Sequence, residues 1–200
     1  MMKTFDYPCP DCRTNSNLHE DGCDMAAYKR GQIEAAYVEI LSSLQRGPKT
    51  KNDMKKNIEW TVRHDNCLER LKLEYIVIKN GEDEDGNEMY GIVPEEERKD
   101  YISQPMYDPM KTVYEKGTVK GAHDNGVFAM VAFYQMVGFS WEETRDNVVE
   151  WLRESGAWDR GGFAESSPEE LVNKKRHVYE EEYGWMEKGE SAKRVIDEKV

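Results

Sequence analysis

The sequence predicts a mainly α-helical protein in three parts: a zinc-binding knuckle over residues 1–25, a winged helix-turn-helix over 26–104, and a small helical domain over 105–200. Three observations carry that expectation. Three of the four cysteines fall, with one histidine, in the stretch CPDCRTNSNLHEDGC from Cys9 to Cys23. In the middle of the chain, three segments of helical periodicity precede two short β-prone runs. Beyond residue 121, an apolar segment and two helix-opening motifs mark packed helices.

The opening stretch has the spacing C-x2-C-x6-H-x3-C. Cys9 and Cys12 place two thiolates on one tight turn, and His19 and Cys23 supply the other pair. Such a donor set suits one tetrahedral zinc ion. Pro8 and Pro10 stiffen the turn, and Gly22 frees the backbone before the last ligand. So short a segment cannot bury a core, which makes a metal its natural staple. Four protein ligands leave no position for water, so the zinc is expected to be structural. A disulfide framework fits less well, because three cysteines leave one over. The remaining alternative is a cysteine-bearing tail without metal. CCHC knuckles also bind nucleic acid. Here Glu20, Asp21 and Asp24 outweigh Arg13, which favours a fold staple or a protein contact.

In the middle part, GQIEAAYVEILSSLQRG reads as one helix with Ile33, Ala36, Tyr37, Ile40, Leu41 and Leu44 on one face. Gly47-Pro48 stops it. KNDMKKNIEW is a short second helix. TVRHDNCLERLKLE is a third, with Thr61 as N-cap and Cys67, Leu68 and Leu71 turned inward, so Cys67 is a core residue rather than a ligand. The runs Tyr75 to Lys79 and Met89 to Val93 flank a polar loop and read as a hairpin. This order of elements resembles the winged-helix superfamily. The resemblance implies DNA contact through the third helix, where the candidates are Arg63, His64, Asn66 and Arg70. The longest basic cluster, RGPKTKNDMKK, adds Arg46, Lys49, Lys51, Lys55 and Lys56 against a single Asp53. The loop GEDEDGNE opposes it, since its carboxylates would face phosphates. The alternative is a winged helix that contacts protein, with lysines solvating a helix face.

In the last part, PMYDPMKTVYEKGTVKG reads as a connector and HDNGVFAMVAFYQMVG as a buried central helix. SWEETRDNVVEWLRESG opens with a capping box, Ser140 with Glu143, and turns Trp141, Val148, Trp151 and Leu152 inward. SPEELVNKKRHVYEEEYG opens with Ser167, Pro168 and Glu170 and turns Leu171, Val178 and Tyr179 inward. A short helix from Glu190 to Glu198 ends the chain. Gly121, Asn125, Phe128, Gly138, Ser140, Glu142, Trp151 and Tyr179 give these last eighty or so residues a resemblance to the primase C-terminal domain. That family's leading arginine is His123 here, and no polymerase domain precedes the tail. The resemblance therefore implies an accessory or stand-alone relative and replication machinery as partner. The whole chain also resembles small proteins of halophilic archaea that join a zinc-knuckle start to this tail, which implies a lineage rather than an activity.

The net charge of −12 repels nucleic acid at long range, so DNA binding would need the local basic patch. MMKTFDYPCP has no apolar core of a secretory signal. Val127 to Phe139 is too short and interrupted to span a bilayer. A cytoplasmic protein without membrane contact is expected. His123, Asp124 and Asn125 are adjacent polar groups at a helix start, where Asp124 or Asn125 would cap the helix. No phosphate loop or nucleophile elbow is present. The expectation is a non-catalytic accessory protein of DNA replication or transcription that binds DNA and a protein partner. The alternative is a protein-interaction adaptor with structural zinc and no nucleic-acid binding.

Overall fold

The computed structural model describes residues 5–200. The chain divides into two units, the first ending at Pro94 and the second spanning Glu95–Val200. Both are built mainly from helices, with one small sheet in the first. Residues 1–4 of the expected knuckle lie outside the described residues.

In the first unit, helix α1 (Arg30–Leu44) buries Ile33, Ala36, Tyr37, Ile40 and Leu44, the face its periodicity marks. Strand β1 (Lys49–Thr50) follows, then α2 (Lys51–Lys55). Thr50 Oγ1 caps α2 by accepting from the Asp53 N–H at 3.1 Å. The second helix is shorter than expected, because the chain turns away after Lys56. Helix α3 (Val62–Leu73) starts at Thr61 as its N-cap. Strands β2 (Val77–Glu82) and β3 (Glu88–Ile92) form the expected hairpin. Strand β1 adds to its far edge, with Lys49 opposite Tyr90, so the antiparallel order is β1-β3-β2. Two residues are too few to show alternation, which hides this strand from the sequence.

The segment before α1 does not stand apart from the helices. Cys9 and Met25 share one buried cluster with Ile33, Ile40, Met54 and Leu71. The Tyr37 hydroxyl, buried in α1, donates to the Pro8 carbonyl at 2.9 Å. Phe5 meets Tyr7 and Tyr37 edge to face at 5.3 and 5.2 Å between ring centroids. Such ring pairs add to area burial by about 0.5–1.5 kcal/mol each. The expected division after residue 25 therefore falls inside a continuous core, and the one expected after 104 falls inside the second unit.

In the second unit, a 3₁₀ turn (Glu95–Glu97) leads into α4 (Arg98–Tyr101). The expected connector holds a helix of its own, α5 (Met110–Lys116), with Met110 and Val113 buried. Helix α6 (His123–Val137) is buried nearly all round, as its composition requires. In α7 (Trp141–Glu154) the capping box is closed. The Ser140 N–H donates to Glu143 at 2.7 Å, and the Glu143 N–H donates back to Ser140 Oγ at 3.3 Å. The next expected helix is broken into α8 (Pro168–Lys174) and α9 (Arg176–Glu180) at Lys175. The last, α10 (Met186–Lys199), starts earlier than expected and packs on α5 and α6.

The residues that carry the resemblance to the primase tail serve this framework. Trp151 Nε1 donates to the Tyr114 carbonyl at 3.0 Å, and the Tyr179 hydroxyl to the Phe139 carbonyl at 2.9 Å. Asn125 does not cap α6, whose N-cap position is Ala122, but donates to Ser191 Oγ at 3.0 Å. Asp124 pairs with Lys175. No helix among the described residues is long and apolar enough to cross a membrane.

One close approach sets the entry to α6. A Cβ on Gly126 would lie 2.2 Å from the Thr118 methyl carbon. Gly126→Ala should therefore cost roughly 1–3 kcal/mol by overpacking. Thr118→Ser, which removes the methyl and keeps the hydroxyl, should restore most of that loss. Chemical denaturation of the single and double variants measures the coupling.

Candidate metal centre

Cys9, Cys12, His19 and Cys23 converge in the structure, with their ligand atoms all within 4.8 Å of one another. Backbone geometry brings them there. The Cys9 N–H donates to the Thr14 carbonyl at 2.9 Å, and the Arg13 N–H returns to the Cys9 carbonyl at 3.0 Å, closing the turn that carries Cys12. Gly22, at φ +84°, reverses the chain so that Cys23 faces back to that turn. The Asp24 N–H is held by Asp11 at 2.7 Å, which ties the two halves together.

The separations fit a tetrahedral ion. Metal–sulfur bonds of about 2.3 Å and a metal–nitrogen bond of about 2.0 Å give S···S edges near ~3.8 Å and S···N edges near ~3.5 Å. Cys9 Sγ and Cys23 Sγ are 3.7 Å apart, and His19 Nδ1 lies 3.4 Å from both Cys12 Sγ and Cys23 Sγ. A disulfide needs about 2.05 Å. The far side of the His19 ring is also engaged: Nε2 lies 3.1 Å from the Tyr28 carbonyl, which can only accept. The ring hydrogen therefore sits on Nε2, and the Nδ1 lone pair faces the sulfurs, as a ligating histidine requires. The four residues could hold a metal ion such as zinc.

The thiols are unequal. Burial opposes ionisation of Cys12, but backbone hydrogen bonds at Glu20 and Thr14, with Cys23 and His19 beside it, bring it down to about 6. Burial, with Cys12, Asp11 and Cys9 close by, pushes Cys23 up to about 12. Burial also raises Cys9. Cys67 lies apart in the core, where burial pushes its thiol up to about 12.

Of the residues expected to meet DNA, His64 and Arg70 are buried and Arg63 and Asn66 half-buried, whereas Arg46, Lys55 and Lys56 of the basic cluster are exposed. His64 is 1% exposed. Its Nδ1 accepts from the Thr61 N–H at 3.1 Å, and its Nε2 faces Glu39 at 2.7 Å. Arg70 is buried and pairs with Glu74. The Arg63 guanidinium lies over the Tyr28 ring at 5.2 Å. Asn66 donates to Met25 Sδ at 3.2 Å. Met25 and Tyr28 lie between the last cysteine and α1, so the segment that follows the cysteines packs over one side of α3. The sequence missed this because α3 alone reads as half-polar, and nothing in it announces a second layer. In the basic cluster, Lys51 pairs with Asp65 and Lys56 with Asp53, each at 2.6 Å. Arg46, Lys49 and Lys55 have no carboxylate partner among the described residues, and Lys55 lies 6.0 Å from the Trp60 ring centroid. His123 has both ring nitrogens engaged, with Thr118 Oγ1 at 2.7 Å and the Gly161 carbonyl at 3.0 Å.

Ligation requires three thiolates, and near pH 7 only Cys12 is already largely ionised. Zinc uptake should therefore release about two protons per chain, read by calorimetry in buffers of different ionisation enthalpy. Release of three would place Cys12 among the thiols. Cys12→Ser should lower bound zinc well below one per chain by metal analysis.

Neither the curated proteins nor the solved structures contain a match to this chain. A family model does match, over residues 3–199, and by that measure the chain belongs to the family of unknown function DUF7474.

Proposed function

We propose that this protein is a non-catalytic adaptor in which a structural zinc ion clasps a winged-helix-like module that contacts protein. The winged-helix reading is supported by the order α1-β1-α2-α3-β2-β3 and by the sheet order β1-β3-β2. The zinc reading is supported by the near-tetrahedral separations and the fixed tautomer of His19. The observation that carries the function is the covering of α3. A groove-reading helix needs a free polar face. Here only Val62 and Glu69 of α3 are exposed, with Arg63, Asp65, Asn66 and Lys72 half-buried, so the helix offers no continuous free polar face to a groove.

The charge distribution points the same way. The hairpin of this module carries Glu82, Asp83, Glu84, Asp85 and Glu88 at its tip. A non-catalytic role is supported by His123, whose two ring nitrogens serve the fold. The likeness of the tail to the primase C-terminal domain makes replication proteins the partner class, and a cytoplasmic location goes with it. The halophilic lineage rests on resemblance alone.

A second reading keeps DNA as partner through phosphate contacts, supported by the unpaired Arg46, Lys49 and Lys55. Three contacts give weak, strongly salt-dependent binding. Fluorescence anisotropy with duplex DNA across a salt series separates the two. The adaptor reading expects no saturable binding at about 0.15 M salt, where screening acts within about 8 Å. Saturable binding that Lys49→Glu with Lys55→Glu abolishes would transfer the function to the second reading.

A further inference from the structure

The second unit pairs its cations closely. Nine of its lysines and arginines lie within ion-pair distance of a carboxylate. Lys120, Arg160, Lys188, Arg194 and Lys199 have no carboxylate partner among the described residues, and of these Arg160 and Lys199 both reach the loop that carries Lys120. Arg160 Nε donates to the Thr118 carbonyl at 3.1 Å, and its Nη2 to the Lys116 carbonyl at 2.9 Å. Lys199 Nζ donates to the Lys120 carbonyl. The approach is tight: a Cβ on Gly117 would lie 2.4 Å from Arg160 Nη2, and one on Gly121 would lie 3.5 Å from Lys199 Nζ.

We propose that this corner of the second unit, Lys120 with Arg160 and Lys199, binds a phosphate dianion. Main-chain carbonyls orient Arg160 and Lys199 without neutralising them, so their charge remains available. Their hydrogen bonds also reduce the side-chain ordering that binding would otherwise cost. Arg160 keeps donors beyond the two it has committed, and charge-assisted bonds to phosphate are the strong class. Lys120 is exposed and makes no ion pair among the described residues, so it can close over the anion. The local field agrees: burial holds His123 below its usual range, and the charges of Arg160 and Lys199 press in the same direction. A long polyanion fits less well, because the exposed Asp159 and Glu198 stand beside Arg160 and Lys199 in the chain. A single phosphate group is the matching size, as the free ion or as a monoester.

The proposal is independent of the adaptor reading and concerns the other unit. Calorimetric titration of the full chain tests it with two probes, inorganic phosphate and ribose 5-phosphate. One saturable site per chain is expected, weakened at least tenfold by Lys120→Gln with Lys199→Gln. Lys120→Gln alone, which breaks no side-chain hydrogen bond or ion pair among the described residues, should weaken it several-fold. Lys188→Gln, a cation over the Phe128 ring elsewhere in the unit, should leave it unchanged. Tenfold tighter binding of ribose 5-phosphate assigns the site to an organic monoester, and equal binding assigns it to the free ion. Absence of saturable binding by either probe up to about 10 mM, a limit of about −2.7 kcal/mol, would overturn the proposal. So would unchanged affinity in the folded double variant.

Discussion

The first unit depends on the two-sided engagement of His19. One ring nitrogen faces the sulfurs of Cys12 and Cys23, and the other holds the Tyr28 carbonyl. The ring thus joins the cysteine turn to the residues just before α1. Tyr28 is thereby set under Arg63, and Met25 lies beside Asn66. A metal in the tetrad would fix the ring, the ring the chain path, and the chain path the cover over α3. Structural zinc sites supply folding free energy directly, on the order of 10 kcal/mol or more in isolated fingers. Here that energy would hold a layer onto helices that already share a core with it.

The second unit relies on packing rather than ligation. Helix α6 is buried around most of its circumference, and Gly126 lets the Thr118 loop press against it. Its polar atoms are mainly spent on the framework: Trp151, Tyr179 and Asn125 each hold a neighbouring segment. Surface ion pairs of the kind that cover this unit contribute only about 0–1 kcal/mol each. What they leave without a carboxylate partner matters more, since Arg160 and Lys199 reach the loop that carries Lys120 in a chain whose net charge is −12.

The metal tetrad was legible because ligand spacing is local: four donors within fifteen residues can meet on one ion whatever the rest of the chain does. The buried face of α1 and the capping box of α7 were legible for the same reason, each being set by neighbours three or four residues apart. What the sequence hid is long-range. Nothing in VRHDNCLERLKL tells that Arg63 and Asn66 meet residues far before them, so α3 reads as a polar recognition helix. His64 looked exposed because its partner, Glu39, lies on another helix. The connector concealed α5 because prolines and glycines bracket a helix of only seven residues. Lys175 breaks one expected helix in two where the local sequence shows no breaker.

The central claim is that ligation at Cys9, Cys12, His19 and Cys23 holds the knuckle over α3. Amide hydrogen exchange, followed by mass spectrometry on the full chain with zinc bound and after its removal, tests that link directly. Local opening is read segment by segment in such data. The account predicts that removing zinc strips protection from residues 9–28 and, with them, from α3 at Val62–Leu73. Unchanged protection of α3 in the metal-free chain would contradict it, because the cover would then be held by packing alone.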